Sequence, residues 1–170
     1  MRIAITGHRP NKLGNDYALT SPLILAIRKR IIEVLEHHAK DLPDAEYEQL
    51  TLITGMALGV DTLFAEIAIQ LQLPFIAAVP CFDQQKMWPK ISQDRYQKII
   101  MDEMCSEVVI VSPKAYDSTV MQIRNKWMVD NCDILIAVWD GTSGGTCNCV
   151  KYAKEVNKEI VYINPLNYAE

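Results

Sequence analysis

Six short apolar runs, set apart by longer stretches of helical spacing, do most to decide what this 170-residue chain can become. "RIAIT", "LTLIT", "PFIAAV", "EVVIV", "DILIAVW" and "EIVYI" are rich in β-branched residues and short enough to be strands. They are continuously apolar rather than alternating, which predicts strands buried on both faces, as in a parallel sheet covered by helices. The stretches between them supply those helices. Ser21 and Pro22 read as the cap and first turn of a helix carrying Ile24, Ile27, Ile31, Val34, Leu35 and His38 on one face. Further helices are predicted over 58–71, 92–104, 119–131 and 146–157. In the third of the five, Tyr96, Ile99 and Ile100 form the apolar side; in the fourth the stripe runs Val120, Ile123, Trp127, Asn131, with Arg124 and Met128 beside it. Strand and helix alternate throughout, so the expected architecture is an α/β open sheet of about six strands, mainly parallel, with right-handed crossovers and helices on both faces. With 49% hydrophobic residues, the length fits one domain over 1–170. "KDLPDAEYEQ" (40–49) reads as an exposed polar connection.

The net charge of −4 gives no general attraction to nucleic acid or to an anionic membrane, so an anionic ligand must be held by a built site. No apolar run approaches the roughly 20 residues that span a bilayer, and no basic-then-apolar leader opens the chain. A soluble, cytoplasmic protein is expected. Its five cysteines are odd in number and lack paired CxxC spacing, which fits a reduced compartment. Cys147 and Cys149 form a lone CxC, too little for a structural zinc, and the adjacent His37 and His38 point to different helix faces. Neither a metal nor a cofactor is expected; the two histidines suit a helix C-terminus.

Three strands are left through glycine: "TGHRP" after the first, "TGMALGVD" after the second and "WDGTSGGT" after the fifth. In a parallel sheet these exits share one edge and can converge on a crevice. Gly144, Gly145 and Thr146 open a helix, where free N–H groups and the helix dipole favour an anion; a plain turn and cap is the competing reading. There is no GxGxxG and no GxxxxGK[ST], so neither a standard dinucleotide fingerprint nor a P-loop is supported. Arg9 and Lys12 in the first long loop, and Arg124 before the fifth strand, can meet a phosphate, whereas Lys126 faces elsewhere and is solvated. Asp61 and Asp140 lie at strand exits, with Glu66 about a turn beyond Asp61. A carboxylate there can accept ribose hydroxyls or move a proton, and Asp61 can equally be a helix N-terminal charge. Phe82 and Trp88, with Gln84 and Gln85, sit in the long loop after the third strand, where a base could stack or a lid could pack.

Together, "TGHRP", "TGMALGVD", "PCFDQQKMWPKISQDRYQKI" and "RNKWMVDNCDILIAVWDGTSGGTCNCVKYA" resemble the YpsA-like branch of the SLOG superfamily. That superfamily joins the Smf/DprA DNA-processing proteins to the Lonely Guy phosphoribohydrolases. The resemblance implies a Rossmann-like domain with a nucleotide site built from Gly7, His8, Arg9, Gly55, Gly59, Asp61, Arg124, Gly144, Gly145 and Thr146; Met56 in the same turn, Phe82, Trp88 and Asp140 complete the candidate ligand-binding set. It also implies a homo-oligomer. Lonely Guy enzymes cleave an N-glycosidic bond with the Glu of a "GGxGTxxE" loop; here "GGTCNC" places Cys149 at that position. Such a bond breaks through an oxocarbenium-like state that a carboxylate stabilises, and a thiol is a poor substitute at neutral pH.

Two functions follow as expectations. The first is a binding module for a nucleotide or nucleotide-derived ligand, ADP-ribose or NAD-related, acting as a sensor or sequestering module. The second is an N-glycoside hydrolase on nucleoside 5′-monophosphates, with Asp61, Glu66 or Asp140 as its catalytic acid. Nucleic acid is not the expected partner, because no basic, aromatic groove is evident.

Overall fold

The computed structural model describes residues 1–40, 42 and 50–168. The strands are β1 (Arg2–Gly7), β2 (Thr51–Thr54), β3 (Phe75–Val79), β4 (Cys105–Ile110), β5 (Ile134–Val138) and β6 (Glu159–Ile163). The helices are α1 (Pro22–Ala39), α2 (Val60–Gln70), α3 (Lys90–Ile100), α4 (Ser118–Asp130) and α5 (Gly145–Glu155). Most of the stretch expected as a polar connection over 40–49 lies outside the described residues.

The sheet runs β4-β3-β2-β1-β5-β6, and every described pairing is parallel. From β1 the chain steps outward through β2 and β3 to β4, then crosses back past β1 to β5. Right-handed crossovers require the helices to change face when the direction of travel reverses. The packing obeys this. Ile3, Ile5, Leu52, Phe75, Ala77, Ile134 and Ile136 point to the face covered by α1, α2 and α3. Their neighbours Ala4, Ile53, Ile76, Ala78 and Leu135 point to the other, where Met128 and Val129 of α4 and Cys149 and Ala153 of α5 meet them. Phe64 and Phe75 are fully enclosed, and burial of each contributes about 1.5–3 kcal/mol.

Ser21 caps α1 by accepting the Ile24 N–H at 3.3 Å, and the face from Ile24 to Leu35 is buried as the spacing predicts. Three expectations need correction. The third helix stops at Ile100 rather than 104: Asp102 accepts the Met104 N–H at 2.9 Å in a tight turn, and β4 starts at Cys105. β4 is an edge strand and largely exposed, so its apolar run does not mark burial on both faces. On α4 the buried face is Val120, Arg124, Asn125, Met128 and Val129, while Ile123 is exposed. The apolar stripe chose the wrong face because the side chain that anchors this helix is an arginine.

Candidate functional site

β1 lies between β2 and β5, so the three glycine exits are neighbours. The chain leaves β1 toward one side of the sheet and β5 toward the other, which opens a crevice at their carboxyl ends. A cleft of about 450 Å³ occupies it, bounded by the loops after β1 and β5 and the first turns of α4 and α5. No described helix is long and apolar enough to cross a membrane.

Its floor is a buried ion pair. Arg124 Nη1 donates to the Gly55 carbonyl and lies 3.4 Å from Asp61 Oδ2, and Arg124 Nε donates to Asn125 Oδ1 at 2.9 Å. Burial pushes the Asp61 carboxyl up, against the Arg124 charge, the Ala57 N–H and Arg9; burial pushes Arg124 down, against Asp61. The turn beneath is tied shut: Thr54 Oγ1 donates to the Asp61 carbonyl at 2.7 Å and accepts the Met56 N–H at 3.2 Å. Met56 itself sits at φ 55°, and Gln84 Nε2 donates to its carbonyl at 3.1 Å.

The rim joins the β1 loop to the β5 loop. His8 Nε2 lies 2.7 Å from Asp140 Oδ1 and 3.2 Å from the Asp140 backbone nitrogen. Burial depresses His8, outweighing the pull of Asp140, so the ring is neutral at pH 7. Burial would raise Asp140, but hydrogen bonds from the Thr142 hydroxyl and N–H, then His8, hold it well below the ordinary carboxylate range. An ionised carboxylate only accepts, so the shorter contact puts the neutral ring's proton on Nε2. Lys12 Nζ donates to Thr142 Oγ1 at 2.6 Å and to the Ser143 carbonyl at 2.9 Å, which sets an ammonium beside the start of α5.

The glycines divide by purpose. A Cβ on Gly7 would lie 2.5 Å from Val60, one on Gly55 1.6 Å from Arg124 Nη1, and one on Gly59 2.6 Å from the His8 carbonyl. These three let protein pack on protein. Gly145 differs: its φ lies outside the left-handed region and its Cβ would meet nothing within 4 Å. It opens α5, whose cap residue Gly144 makes no side-chain hydrogen bond, so among the described residues no cap side chain takes up the first N–H groups of that helix.

Of the residues singled out by sequence, Gly7, His8, Arg9, Asp61, Arg124, Gly144, Gly145 and Thr146 line the cleft. Gly55, Met56 and Gly59 support it from below, and Asp140 stands behind His8. Glu66 does not join them: Arg95 holds it through bonds of 2.6 and 2.8 Å, away from the cleft. Nor do Phe82 and Trp88. Phe82 is exposed, and Trp88 packs edge-on against Tyr96 with centroids 5.7 Å apart. Lys126 lies over the Tyr152 ring instead. Cys149 is fully buried, and burial pushes its thiol up to about 12 despite Thr6 and Arg124 nearby. All five cysteines are free. Tyr116, Gln122, Asn125 and Asn148, which also line the cleft, were not read from the sequence; the first three lie on or just before α4, and their only signal was the strand order that brings α4 back beside β1, whereas Asn148 follows the glycine turn on the first turn of α5.

A family model described as the YspA SLOG family matches residues 3–167. The uncharacterized SPbeta prophage-derived protein YoqJ of Bacillus subtilis is 27% identical over 153 residues, covering 81% of this chain and 85% of that one. A UPF0398 protein of Bacillus thuringiensis is 23% identical over 167 residues, covering 93% and 84%. Among solved structures, the DNA processing protein A (DprA) of Helicobacter pylori, described for its single-stranded DNA binding mode, has a TM-score of 0.65 at 18% identity, over 100% of this chain and 68% of that one. The DprA of Streptococcus pneumoniae has a TM-score of 0.60 at 17% identity, over 96% of this chain; the chain spans 50% of that protein's length. At these identities the structures share the fold.

Proposed function

The chain belongs to the YspA SLOG family, and from that premise we propose that its cleft binds a nucleotide or nucleotide-derived molecule, of the ADP-ribose or NAD-related kind, as a cytoplasmic sensor or sequestering module. The observation that carries the reading is Gly145. Neither its backbone nor its packing asks for glycine, yet a side chain there would enter the cleft at the N–H groups that open α5. The charges agree. Among the described lining residues Arg9, Lys12 and Arg124 face Asp61 alone, in a chain whose net charge is −4.

Binding is favoured over hydrolysis because the one carboxylate in that lining is engaged by Arg124, and Cys149 is a buried, protonated thiol. An oxocarbenium-like state would find no free acid there. The expectation against nucleic acid loses support from the likeness to DprA, one of whose structures is described for single-stranded DNA binding. With Arg9, Lys12 and Tyr116 on the cleft, single-stranded DNA stands as the second reading.

The test is a panel of nucleoside monophosphates, ADP-ribose, NAD and an oligo(dT), read by thermal stability, chromatography of products and native mass. A stability gain with a small nucleotide and no free base supports binding. Free base that disappears in Asp61→Asn makes the protein a hydrolase, and a salt-sensitive gain with the oligonucleotide alone makes it a DNA binder. The native mass also reads the proposed homo-oligomer.

A further inference from the structure

The Rossmann-like sheet places an edge strand's loop over its centre. β4 is three strands away from β1, and the chain must reach β5 on the far side of β1. The segment between β4 and α4 therefore passes over the carboxyl ends of the strands, and it delivers Tyr116 to the cleft. Tyr116 is the one Phe, Tyr or Trp among the described lining residues, and the other aromatic ring there, His8, is buried. The residue is 46% exposed, and its hydroxyl accepts a hydrogen bond from Arg9 Nη2 at 3.3 Å. An aromatic ring tethered by its hydroxyl and left uncovered at a polar cleft is placed to receive another ring. Beside it the first turns of α4 present Met121, an apolar neighbour, and Gln122, whose amide offers a donor and an acceptor to a base edge.

We propose that Tyr116 is the base-stacking residue of the cleft, so that the ligand is a nucleotide carrying an intact base rather than a phosphorylated sugar. This rests on the nucleotide-binding reading above. It assigns to the β4–α4 crossover the role that the sequence suggested for Phe82 and Trp88. The phosphate-seat groups, Lys12 and the N-terminus of α5, and the aromatic and amide groups, Tyr116 and Gln122, then recognise different parts of one molecule. Stacking is tolerant of base identity because every base has a π face.

Calorimetric titration of the full chain with AMP, GMP and ribose 5-phosphate separates the parts, in wild type, Tyr116→Phe and Tyr116→Ala. The expected result is that Tyr116→Ala weakens both mononucleotides by about tenfold or more and leaves ribose 5-phosphate within about twofold, while Tyr116→Phe stays close to wild type. Equal weakening of all three ligands in Tyr116→Ala would mean that the tyrosine only steadies Arg9, and the proposal fails. It fails too if Tyr116→Ala changes nothing. If wild type binds ribose 5-phosphate as tightly as AMP, the anion seat stands and base stacking falls; if it binds none of the three, and neither ADP-ribose nor NAD in the same titration, the nucleotide reading itself falls.

Discussion

Replacing Arg124 by Met removes the cation from the floor of the cleft and keeps most of the side-chain length. The pair it breaks is nearly solvent-free, with side chains 4% and 6% exposed and 3.4 Å between Nη1 and Oδ2. At an effective dielectric near 20, that separation corresponds to about 5 kcal/mol of attraction. Removing one partner of such a pair, and so leaving an uncompensated buried charge, costs about 3–5 kcal/mol. For a chain of this size the melting temperature falls by about 6–20 °C. The loss depends on pH in a definite sense. Burial already raises Asp61 above its ordinary 3.8, and loss of Arg124 raises it further. A carboxyl that holds its proton more tightly when folded carries no penalty below its unfolded pKa. The penalty grows as the pH rises toward the folded value and is complete above it. Urea unfolding at pH 8 and at pH 4.5 is the assay: Arg124→Met is expected to show the full deficit at pH 8 and much less at pH 4.5. Adding Asp61→Asn is expected to recover most of it at pH 8. A deficit unchanged between the two pH values, or simple additivity of the two substitutions, would refute the buried pair.

Gly59→Ala must hold φ 93° with a Cβ 2.6 Å from the His8 carbonyl, so it is expected to cost on the order of 1–3 kcal/mol, seen as a lowered melting temperature; an unchanged value would contradict the close packing of the β1 and β2 exits. Asp140 is depressed in the folded state, so it contributes stability above its unfolded value of 3.8 that is lost as the pH falls through the folded one. Asp140→Asn is therefore expected to be less stable than wild type at pH 7, with the gap closing in acid, by thermal melts across that range. Cys149, with its thiol pushed up to about 12 and no exposure, is expected to resist alkylation at pH 8 in the folded protein while Cys105, partly exposed, reacts; peptide mass spectrometry reads both. Cys149→Ala is expected to leave nucleotide binding intact.

The strands and the capped first helix were legible because each rests on local patterning, such as the Ser21–Pro22 start and the run from Ile134 to Val138. The convergence of Gly7, Gly55 and Asp140 followed from parallel topology alone. What each glycine is for did not, since Val60, Arg124 and the His8 carbonyl reach them from other parts of the chain. The face of α4 was misread for a related reason: a buried arginine carries no apolar signal, and its partner Asp61 lies 63 residues away. Phe82 and Trp88 drew attention as aromatic residues in a long loop, yet that loop leaves β3, two strands from β1. Tyr116 was invisible until the strand order put the β4–α4 crossover above the cleft. In physical terms, local periodicity encodes the elements, and long-range packing selects which residues meet.

If the space beside Gly145 belongs to a ligand, titration of wild type and Gly145→Val with ADP-ribose and AMP shows it most directly. A Cβ at this position meets nothing within 4 Å, so the variant is expected to fold with nearly the stability of wild type. Nucleotide is expected to raise the melting temperature of wild type and to leave that of Gly145→Val unchanged. A variant that keeps the full gain, with unaltered affinity, would contradict a ligand in that space.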